Sequence, residues 1–266
     1  PWFFSFNCFD PHHPFDPPFD YLKKFVVEDM PLPRAHPDEL NEQTTFQKLD
    51  RIWAHNQPGE FHTEAMTDFD RRQVYAAYMA MITLIDDQVG RILEALKETG
   101  QAENTLVAFM SDHGEMLGDH GIYFKGPHFY DGQMNVPLII RWPQGDVRGN
   151  RRVDGFVELI DLMPTFLDAA GIPIPSAVQG KSLLPLLRGG DEIEHCREEV
   201  YAEYYNAWTH SDAYGTMLRT KDWKIVVYHG TNQGEFYDLK KDPDEFFNLW
   251  NHSDFQQQKQ EYILKC

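Results

Sequence analysis

The chain has 266 residues, of which 42% are hydrophobic and 25% are charged, and its formal net charge is −18. This length and apolar content suffice for one large domain with a small appendage. The acidic balance argues against a protein that binds nucleic-acid backbones, because such proteins need a basic face. No apolar run approaches the roughly 20 residues that cross a bilayer, so we predict no membrane partner. Cys8, Cys196 and Cys266 are scattered, and they form neither a disulfide framework nor a zinc-ribbon spacing.

The amino-terminal segment begins with the apolar run Trp2 to Asn7, which predicts a buried strand. The loop that follows, DPHHPFDPPFD, is too rich in proline for sheet or helix. Cys8, two residues before this loop, is predicted to be buried. His12 and His13 lie in this loop, where imidazoles held by flanking prolines are candidates for proton transfer near neutral pH. A histidine on a surface loop is the commoner alternative. For residues 21–67 the apolar periodicity is weak, which predicts long surface loops that contain short helices.

A long helix and a strand come next. Apolar residues recur at steps of three and four from about Asp70 to Thr99, which predicts one amphipathic helix, and Gly100 is a natural stop for it. The apolar run at 106–110 predicts a strand that is buried on both faces of a parallel sheet.

Acidic, imidazole and glycine residues concentrate directly after this strand. Asp112 and His113 emerge at its carboxyl end, where open α/β sheets hold their ligands. Together they could ligate a cation if the backbone turns, and Gly114 supplies that freedom, but two ligands are too few and others must come from elsewhere. An Asp-His-Gly triplet alone often occurs by chance in a loop that has no ligand. The strand before it and a second triplet at 119–121 favour a site, in which His120 is predicted to staple the loop rather than to ligate.

Two further polar residues lie just past this loop. Lys125 precedes Gly126 and Pro127, and an ammonium group suits an oxyanion, although an ordinary surface lysine is the commoner case. His128 either contacts the same ligand or only pins a neighbouring side chain.

The rest of the chain predicts a change of architecture. A further strand at 136–142 and a helix at 158–170 complete an α/β domain over residues 1–195. Short β-branched and aromatic runs separated by turn residues then predict a small antiparallel sheet with a terminal helix over residues 196–266.

Several motifs occur in a fixed order along the chain: H-x-P, SDHGE, LGDHG, a following lysine, VPLIIRWP, a helix ending DAAGI, QGKSLLPLL and FYDLKKDPDEFFNL. Together they resemble the carboxyl-terminal portion of the sulfatase family of the alkaline-phosphatase-like superfamily, over nearly the whole chain. The resemblance implies an alkaline-phosphatase-like α/β fold whose mixed, mostly parallel sheet is flanked by helices and is only partly present here. A small antiparallel α+β subdomain would follow it.

The resemblance also implies roles for individual residues. Asp112 and His113 would be one pair of metal ligands. Lys125 would bind the sulfuryl oxygens of the ester, and His12, two positions before the proline of H-x-P, would contact the sulfate or protonate the leaving oxygen. His128 is a possible substrate contact. The implied cofactor is a divalent metal, and calcium is the preferred choice. Manganese or zinc is also possible, because His113 stands where many sulfatases carry asparagine.

The activity implied is hydrolysis of sulfate monoesters of small molecules or carbohydrates. Hydrolysis of phosphonate or phosphate esters is the alternative, because relatives with that activity carry the same histidine substitution. The family's nucleophile is a formylglycine made within a C-x-[PS]-x-R motif, and neither this motif nor the family's early paired aspartates occurs in the sequence.

We therefore expect a missing amino-terminal segment of the same protein to supply these groups, so that this chain alone is inactive. A non-catalytic fragment is a second alternative. We also expect an exposed apolar sheet edge unless a partner segment supplies the early strands. The sequence does not choose between a periplasmic or secreted and a cytoplasmic location.

Overall fold

The structure, a computed structural model, describes residues 2–55, 63–147, 149–191, 196–206 and 212–266. The chain divides into two compact units. The first unit comprises residues 1–98 and 115–126, and the second comprises residues 99–114 and 127–266. The predicted domain boundary between residues 195 and 196 adjoins residues outside the described ranges, and it stays a prediction.

Helices build the first unit. They are α1 (Phe19–Leu22), α2 (Glu39–Glu42), α3 (Thr45–His55) and α4 (Asp68–Glu98). The long helix predicted from about Asp70 is confirmed as α4, and Gly100 follows it at a φ of 70° that favours glycine. The amino-terminal half of α4 carries the buried side chains, namely Val74, Ala76, Ala77, Ala80 and Met81.

The core of the first unit joins α4 to the loop at 115–126. Val74 of α4 packs with Tyr123 and Phe124, and all three are buried. Phe15 from the proline-rich loop packs against this cluster, and its ring meets that of Tyr78 edge-on at 5.9 Å. Burial of each large apolar side chain contributes about 1.5–3 kcal/mol. This cluster therefore holds the proline-rich loop beside the loop at 115–126.

Two predictions for the amino terminus are wrong. Residues 2–7 form no strand, and Phe3 and Phe4 are 78% and 67% exposed. Cys8, predicted to be buried, is exposed as well. An apolar run becomes a strand only when its backbone pairs with a neighbour, and no strand in the described part of the chain pairs with this one.

The second unit begins with a two-stranded sheet of β1 (Val107–Met110) and β2 (Leu138–Arg141). The pairing is antiparallel, with Val107 opposite Arg141, so the prediction of parallel pairing for this strand is wrong. The strand is also not buried on both faces, since Phe109 is 38% exposed and Ile139 on the partner strand is 64% exposed. Apolar side chains of this two-stranded sheet are therefore exposed, and the exposed apolar sheet edge expected from the sequence stays a prediction.

Short helices and a larger sheet complete the second unit. The helices are α5 (Asp131–Met134), α6 (Leu162–Ala169), α7 (Leu184–Leu187) and α8 (Gln256–Ile263). The strands are β3 (Glu199–Tyr205), β4 (Tyr214–Thr220), β5 (Trp223–Tyr228) and β6 (Gly234–Asp238), which pair antiparallel in chain order. The predicted antiparallel sheet with a terminal helix is confirmed.

The carboxyl-terminal sheet has its own core. Leu218, Ile225 and Phe236 are fully buried in the middle of consecutive strands, and Trp223 and Tyr262 pack against them. The Trp223 ring stacks on Phe236 at 5.0 Å. Within the described residues, no helix combines the length and apolar character needed to span a bilayer.

Candidate active site

The loop at 115–124 in the first unit is closed by one carboxylate. Oε1 of Glu115 accepts hydrogen bonds from the backbone N–H groups of Leu117 at 3.1 Å and Phe124 at 2.7 Å. Gly118 turns the loop at a φ of 92°, and a Cβ there would lie 2.8 Å from the Tyr123 ring. The glycine is therefore required both for its backbone conformation and for the close approach.

The second Asp-His-Gly triplet is a structural staple. His120 is buried, and its Nδ1 lies 3.0 Å from Oε2 of Glu39. Its backbone N–H donates to the Arg34 carbonyl at 2.7 Å, and its carbonyl accepts from the Gln43 side chain at 2.8 Å. Asp119 accepts from the Arg34 backbone N–H at 2.7 Å. These bonds tie the loop to the 34–43 segment, which confirms the predicted stapling role of His120.

Lys125 and His12 meet in the first unit although they are 113 positions apart in the sequence. The Lys125 Nζ lies 2.6 Å from the His12 Nε2. The His12 Nδ1 lies 2.7 Å from the His13 carbonyl oxygen. Because a carbonyl oxygen only accepts, Nδ1 carries the proton and the neutral ring offers its Nε2 lone pair to the ammonium. The structure therefore brings together an imidazole and an ammonium that the sequence singled out separately.

His13 has a different environment from His12. Its ring packs against Phe124 at 4.1 Å and stacks on His12 at 4.1 Å. Burial, followed by the electrostatic effects of the neighbouring His12 imidazole and of the Lys125 ammonium, lowers the pKa of His13 from 6.5 to about 4. His13 is therefore neutral near pH 7 and serves as part of the packing around His12.

This lowered pKa predicts a pH-dependent stability. Between pH 6.5 and about 4 the unfolded chain binds a proton on His13 that the folded state does not. The stability linked to His13 is thus complete above pH 6.5 and is lost as the pH falls towards 4. Because the ring is only partly buried and is screened by solvent, we expect a loss of about 1 kcal/mol. Urea denaturation at pH 7 and pH 5 should show this loss in the wild type and not in His13→Asn; equal pH dependence in both would contradict it.

Asp112 and His113 stand in the second unit, directly after β1. The Asp112 carboxylate is 81% exposed, and its Oδ2 lies 3.8 Å from the His113 Nε2. The His113 Nδ1 lies 2.8 Å from the Gly114 carbonyl oxygen, to which it donates. This bond fixes the tautomer and leaves the Nε2 lone pair towards the carboxylate, as metal-binding histidines require. A separation of 3.8 Å is one that a single cation could bridge.

Gly114 serves a different purpose from the one predicted. Its φ lies outside the left-handed region, so turning freedom is not what this position needs. Instead, its backbone N–H donates to the Gln133 carbonyl at 2.8 Å, and a Cβ would lie 2.0 Å from the Gly132 carbonyl oxygen. The missing side chain lets the backbone after His113 press against α5.

His128 is fully buried rather than presented at the surface. Its ring lies 6.1 Å from that of Tyr130, and its carbonyl accepts from the Gln133 side chain at 2.9 Å. These contacts correspond to the predicted alternative in which His128 pins a neighbour. A role for His128 as a substrate contact stays a prediction.

The predicted metal-ligand pair, Asp112 and His113, has too few donors to enclose a metal ion by itself. Among the described residues, no group of three or more His, Cys, Asp or Glu side chains could enclose a metal ion. Asp112 and His113 nevertheless have the donor types and separation of a ligand pair. The two pairs of candidate residues, His12 with Lys125 and Asp112 with His113, belong to different compact units.

Comparison with known proteins decides the family. The sulfatase family model matches residues 1–172, and the model for the carboxyl-terminal part of N-sulphoglucosamine sulphohydrolase matches residues 118–265. The chain belongs to the sulfatase family. A divalent metal is typical of sulfatases, which is consistent with the ligand pair described above.

Individual relatives agree with this assignment. An arylsulfatase of Clostridium perfringens is 32% identical over all of this chain and 52% of its own length. An N-acetylglucosamine-6-O-sulfatase of Bacteroides thetaiotaomicron is 31% identical over 85% of this chain and 41% of its own length. This sulfatase chain therefore spans about half the length of the curated relatives that it matches.

Solved structures confirm the fold. The phosphonate monoester hydrolase SpPMH of Silicibacter pomeroyi superposes on 96% of this chain and 53% of its own with a TM-score of 0.83 and 28% identity. The predicted alkaline-phosphatase-like α/β fold with a carboxyl-terminal antiparallel subdomain is thus confirmed.

Sequence reasoning missed the residues that hold the site together. Glu115 was not singled out, although its position between the two Asp-His-Gly triplets was a signal that it closes their loop. Asp131, Lys224 and Glu245, which form a largely buried ion cluster in the second unit, were also missed. The motif FYDLKKDPDEFFNL contained Glu245 and was used only as a mark of resemblance.

Proposed function

We propose that the protein to which this sulfatase chain belongs hydrolyses sulfate monoesters. The observation that carries the proposal is the 2.6 Å contact between the Lys125 Nζ and the His12 Nε2. The contact places an ammonium beside an imidazole, and these two groups can serve an anionic ester, the first as a cation at its oxygens and the second, once protonated, as a general acid. Family membership supplies the reaction class in which this chemistry is used.

Lys125 and His12 have different roles at the ester. The ammonium of Lys125 binds the sulfuryl oxygens and stabilises the charge that develops on them. When the anion binds, His12 takes up a second proton from solvent on Nε2, and it then donates this proton to the leaving oxygen. Its Nδ1 remains bonded to the His13 carbonyl, which keeps the ring in one orientation during the transfer.

Asp112 and His113 are the residues of this chain that would hold a divalent metal. Calcium is the first choice because the carboxylate is a hard oxygen ligand, and the imidazole also admits manganese or zinc. When bound, such a metal polarises the oxygens of the ester. The remaining ligands and the attacking nucleophile would come from an amino-terminal segment of the same protein.

The substrate class is a sulfate ester of a small molecule or a carbohydrate. The names of two relatives support it: one is an arylsulfatase, and the other acts on N-acetylglucosamine 6-O-sulfate as its name states.

Hydrolysis of phosphonate or phosphate esters is the second candidate. The similarity to a phosphonate monoester hydrolase at a TM-score of 0.83 favours it, as does a histidine at position 113. Since a phosphonate monoester and a sulfate monoester are both tetrahedral anions, the same lysine and histidine could serve either.

Activity assays on the full-length protein test these candidates. Aryl sulfates, carbohydrate sulfates and phosphonate monoesters would be compared as substrates, with kcat/KM measured for each. The proposal expects the highest kcat/KM for a sulfate ester. Turnover confined to phosphorus esters would move the assignment to the second candidate, and a full-length protein that cleaves none of them would favour a non-catalytic role.

A further inference from the structure

The carboxyl-terminal motif FYDLKKDPDEFFNL folds into a clasp after β6. The Asp242 carboxylate accepts hydrogen bonds from the backbone N–H groups of Phe246 at 3.1 Å and Phe247 at 2.7 Å. The Asn248 side chain accepts from the Phe236 N–H at 3.1 Å and donates to the Gly234 carbonyl at 3.1 Å. These bonds fix the segment between Asp242 and Asn248 against the sheet.

Glu245, inside the clasp, has an uncommon backbone conformation and a buried side chain. Its φ is 60°, in the left-handed region that non-glycine residues seldom adopt, and only 2% of its side chain is exposed. One carboxylate oxygen forms an ion pair with the Lys224 Nζ, and the other accepts from the backbone N–H of Asp131 at 2.9 Å. Strained residues of this kind persist when the surrounding structure requires them.

Lys224 and Asp131 extend the cluster. The Lys224 Nζ donates to the Asp131 Oδ1 at 2.7 Å and to the Phe129 carbonyl at 2.7 Å. Arg219 donates to the other Asp131 oxygen at 2.8 Å. Burial alone would raise the pKa of Asp131, but the charges of Lys224 and Arg219 outweigh it and lower the pKa. Two cations thus face two carboxylates, and the start of α5 is fixed at its first residue.

The contacts continue from α5 to the metal-ligand pair within the same unit. Asp131 begins α5, and the next two residues, Gly132 and Gln133, press their carbonyls against Gly114. The Gly114 carbonyl in turn accepts from the His113 Nδ1 at 2.8 Å. A continuous series of contacts therefore leads from Glu245 through α5 to the imidazole of His113.

We propose that Glu245 is a positioning residue for Asp112 and His113, acting through Asp131, α5 and the Gly114 backbone. The inference rests on the proposed function, because it assumes that this pair binds a metal. Its consequence is that a carboxylate in the carboxyl-terminal subdomain controls metal affinity without touching the metal.

The test is a titration of metal-free full-length protein with Ca²⁺ and, separately, Mn²⁺, followed by calorimetry. Outer residues that orient a ligand change metal affinity by about 10- to 100-fold, and we expect a weakening in this range for Glu245→Gln. Asn248→Ala is the matched control, because it removes clasp hydrogen bonds and lowers Tm without removing a contact to Asp131. Its metal affinity should stay within about twofold of the wild type, by comparison with that range.

A second variant and a second readout keep the test decisive. Asp131→Asn is milder, since that side chain is 29% exposed, and it should weaken metal binding in the same direction if Glu245→Gln does not fold. Hydrogen exchange at the Gly114 amide is measured without metal. It should be faster in Glu245→Gln and Asp131→Asn than in Asn248→Ala when the variants are compared at temperatures equally far below their own Tm.

The outcomes separate the two claims. Unchanged metal affinity in both cluster variants would overturn the positioning role, as would equal weakening in Asn248→Ala. Suppose that the wild type hydrolyses sulfate esters and binds metal, and that the cluster variants bind metal as tightly as the wild type. This result would contradict only the positioning role of Glu245. A wild type that binds neither metal would remove the metal site of the proposed function, and the positioning role would fall with it.

Discussion

Hydrolysis of an alkyl sulfate by the full-length protein is expected to slow about 10²- to 10⁴-fold when His12 is replaced by alanine, the range for a lost general acid. An alkoxide is a poor leaving group, so its departure depends on the proton that the His12 Nε2 supplies. The Nδ1 bond to the His13 carbonyl holds that nitrogen in place. With 4-nitrophenyl sulfate, whose leaving group needs little protonation, the same variant should lose much less activity.

The matched control for His12 is its neighbour. His13→Asn removes an imidazole from the same loop, and the ring that is removed packs against Phe124. We expect its kcat to change little with either substrate. A loss in His12→Ala that is the same for alkyl and 4-nitrophenyl sulfates would show that His12 does not protonate the leaving oxygen.

Replacement of Lys125 by methionine is expected to lower kcat about 10²- to 10³-fold, as for the removal of one donor to a developing oxyanion. Methionine keeps most of the side-chain length and removes the charge. Inorganic sulfate should also become a weaker competitive inhibitor, because the product anion uses the same ammonium. Steady-state kinetics with and without added sulfate measure both effects.

Two comparisons sharpen the result for Lys125. Lys97→Met removes an exposed lysine that pairs only with Glu94 in the described contacts, and its kinetics should match those of the wild type. In a double-mutant cycle, His12→Ala and Lys125→Met should be clearly non-additive, because their nitrogens are 2.6 Å apart. Additive losses would contradict a shared anion.

Apolar periodicity and turn residues correctly predicted the elements that pack against neighbours within this chain. The 3.6-residue periodicity found α4 to within two residues of its start at Asp68, and turn residues between aromatic runs found β3 to β6. Each of these elements buries one face against neighbours in the described chain, so the pattern of apolar residues is enough to specify it.

The failures share a physical cause. Residues 2–7 and the strand β1 are apolar, but the sheet partners that would bury them on both faces do not lie among the described residues. An apolar run shows that a segment prefers burial, and it does not show which segment will cover it. Strand direction is likewise a tertiary property, which is why β1 was predicted parallel and is antiparallel to β2.

The candidate site was predictable only in part. Motif order indicated His12 and Lys125 separately, and the fold brings them into contact. Gly114 was predicted to let the backbone turn, and only the structure shows that its role is to let α5 pack closely against it. The ion cluster of Lys224, Asp131 and Glu245 could not be predicted, because its members come from three distant segments and each alone resembles an ordinary surface charge.

We infer that His12 and Lys125 act together on the oxygens of one sulfate anion, and that Asp112 and His113 bind the metal. A crystal structure of the full-length protein with Ca²⁺ and inorganic sulfate would test both inferences. The His12 Nε2 and the Lys125 Nζ should each lie within about 3.2 Å of an oxygen of the same sulfate, and Asp112 and His113 should ligate the Ca²⁺. A sulfate bound away from either nitrogen, or a metal bound away from Asp112, would overturn these inferences.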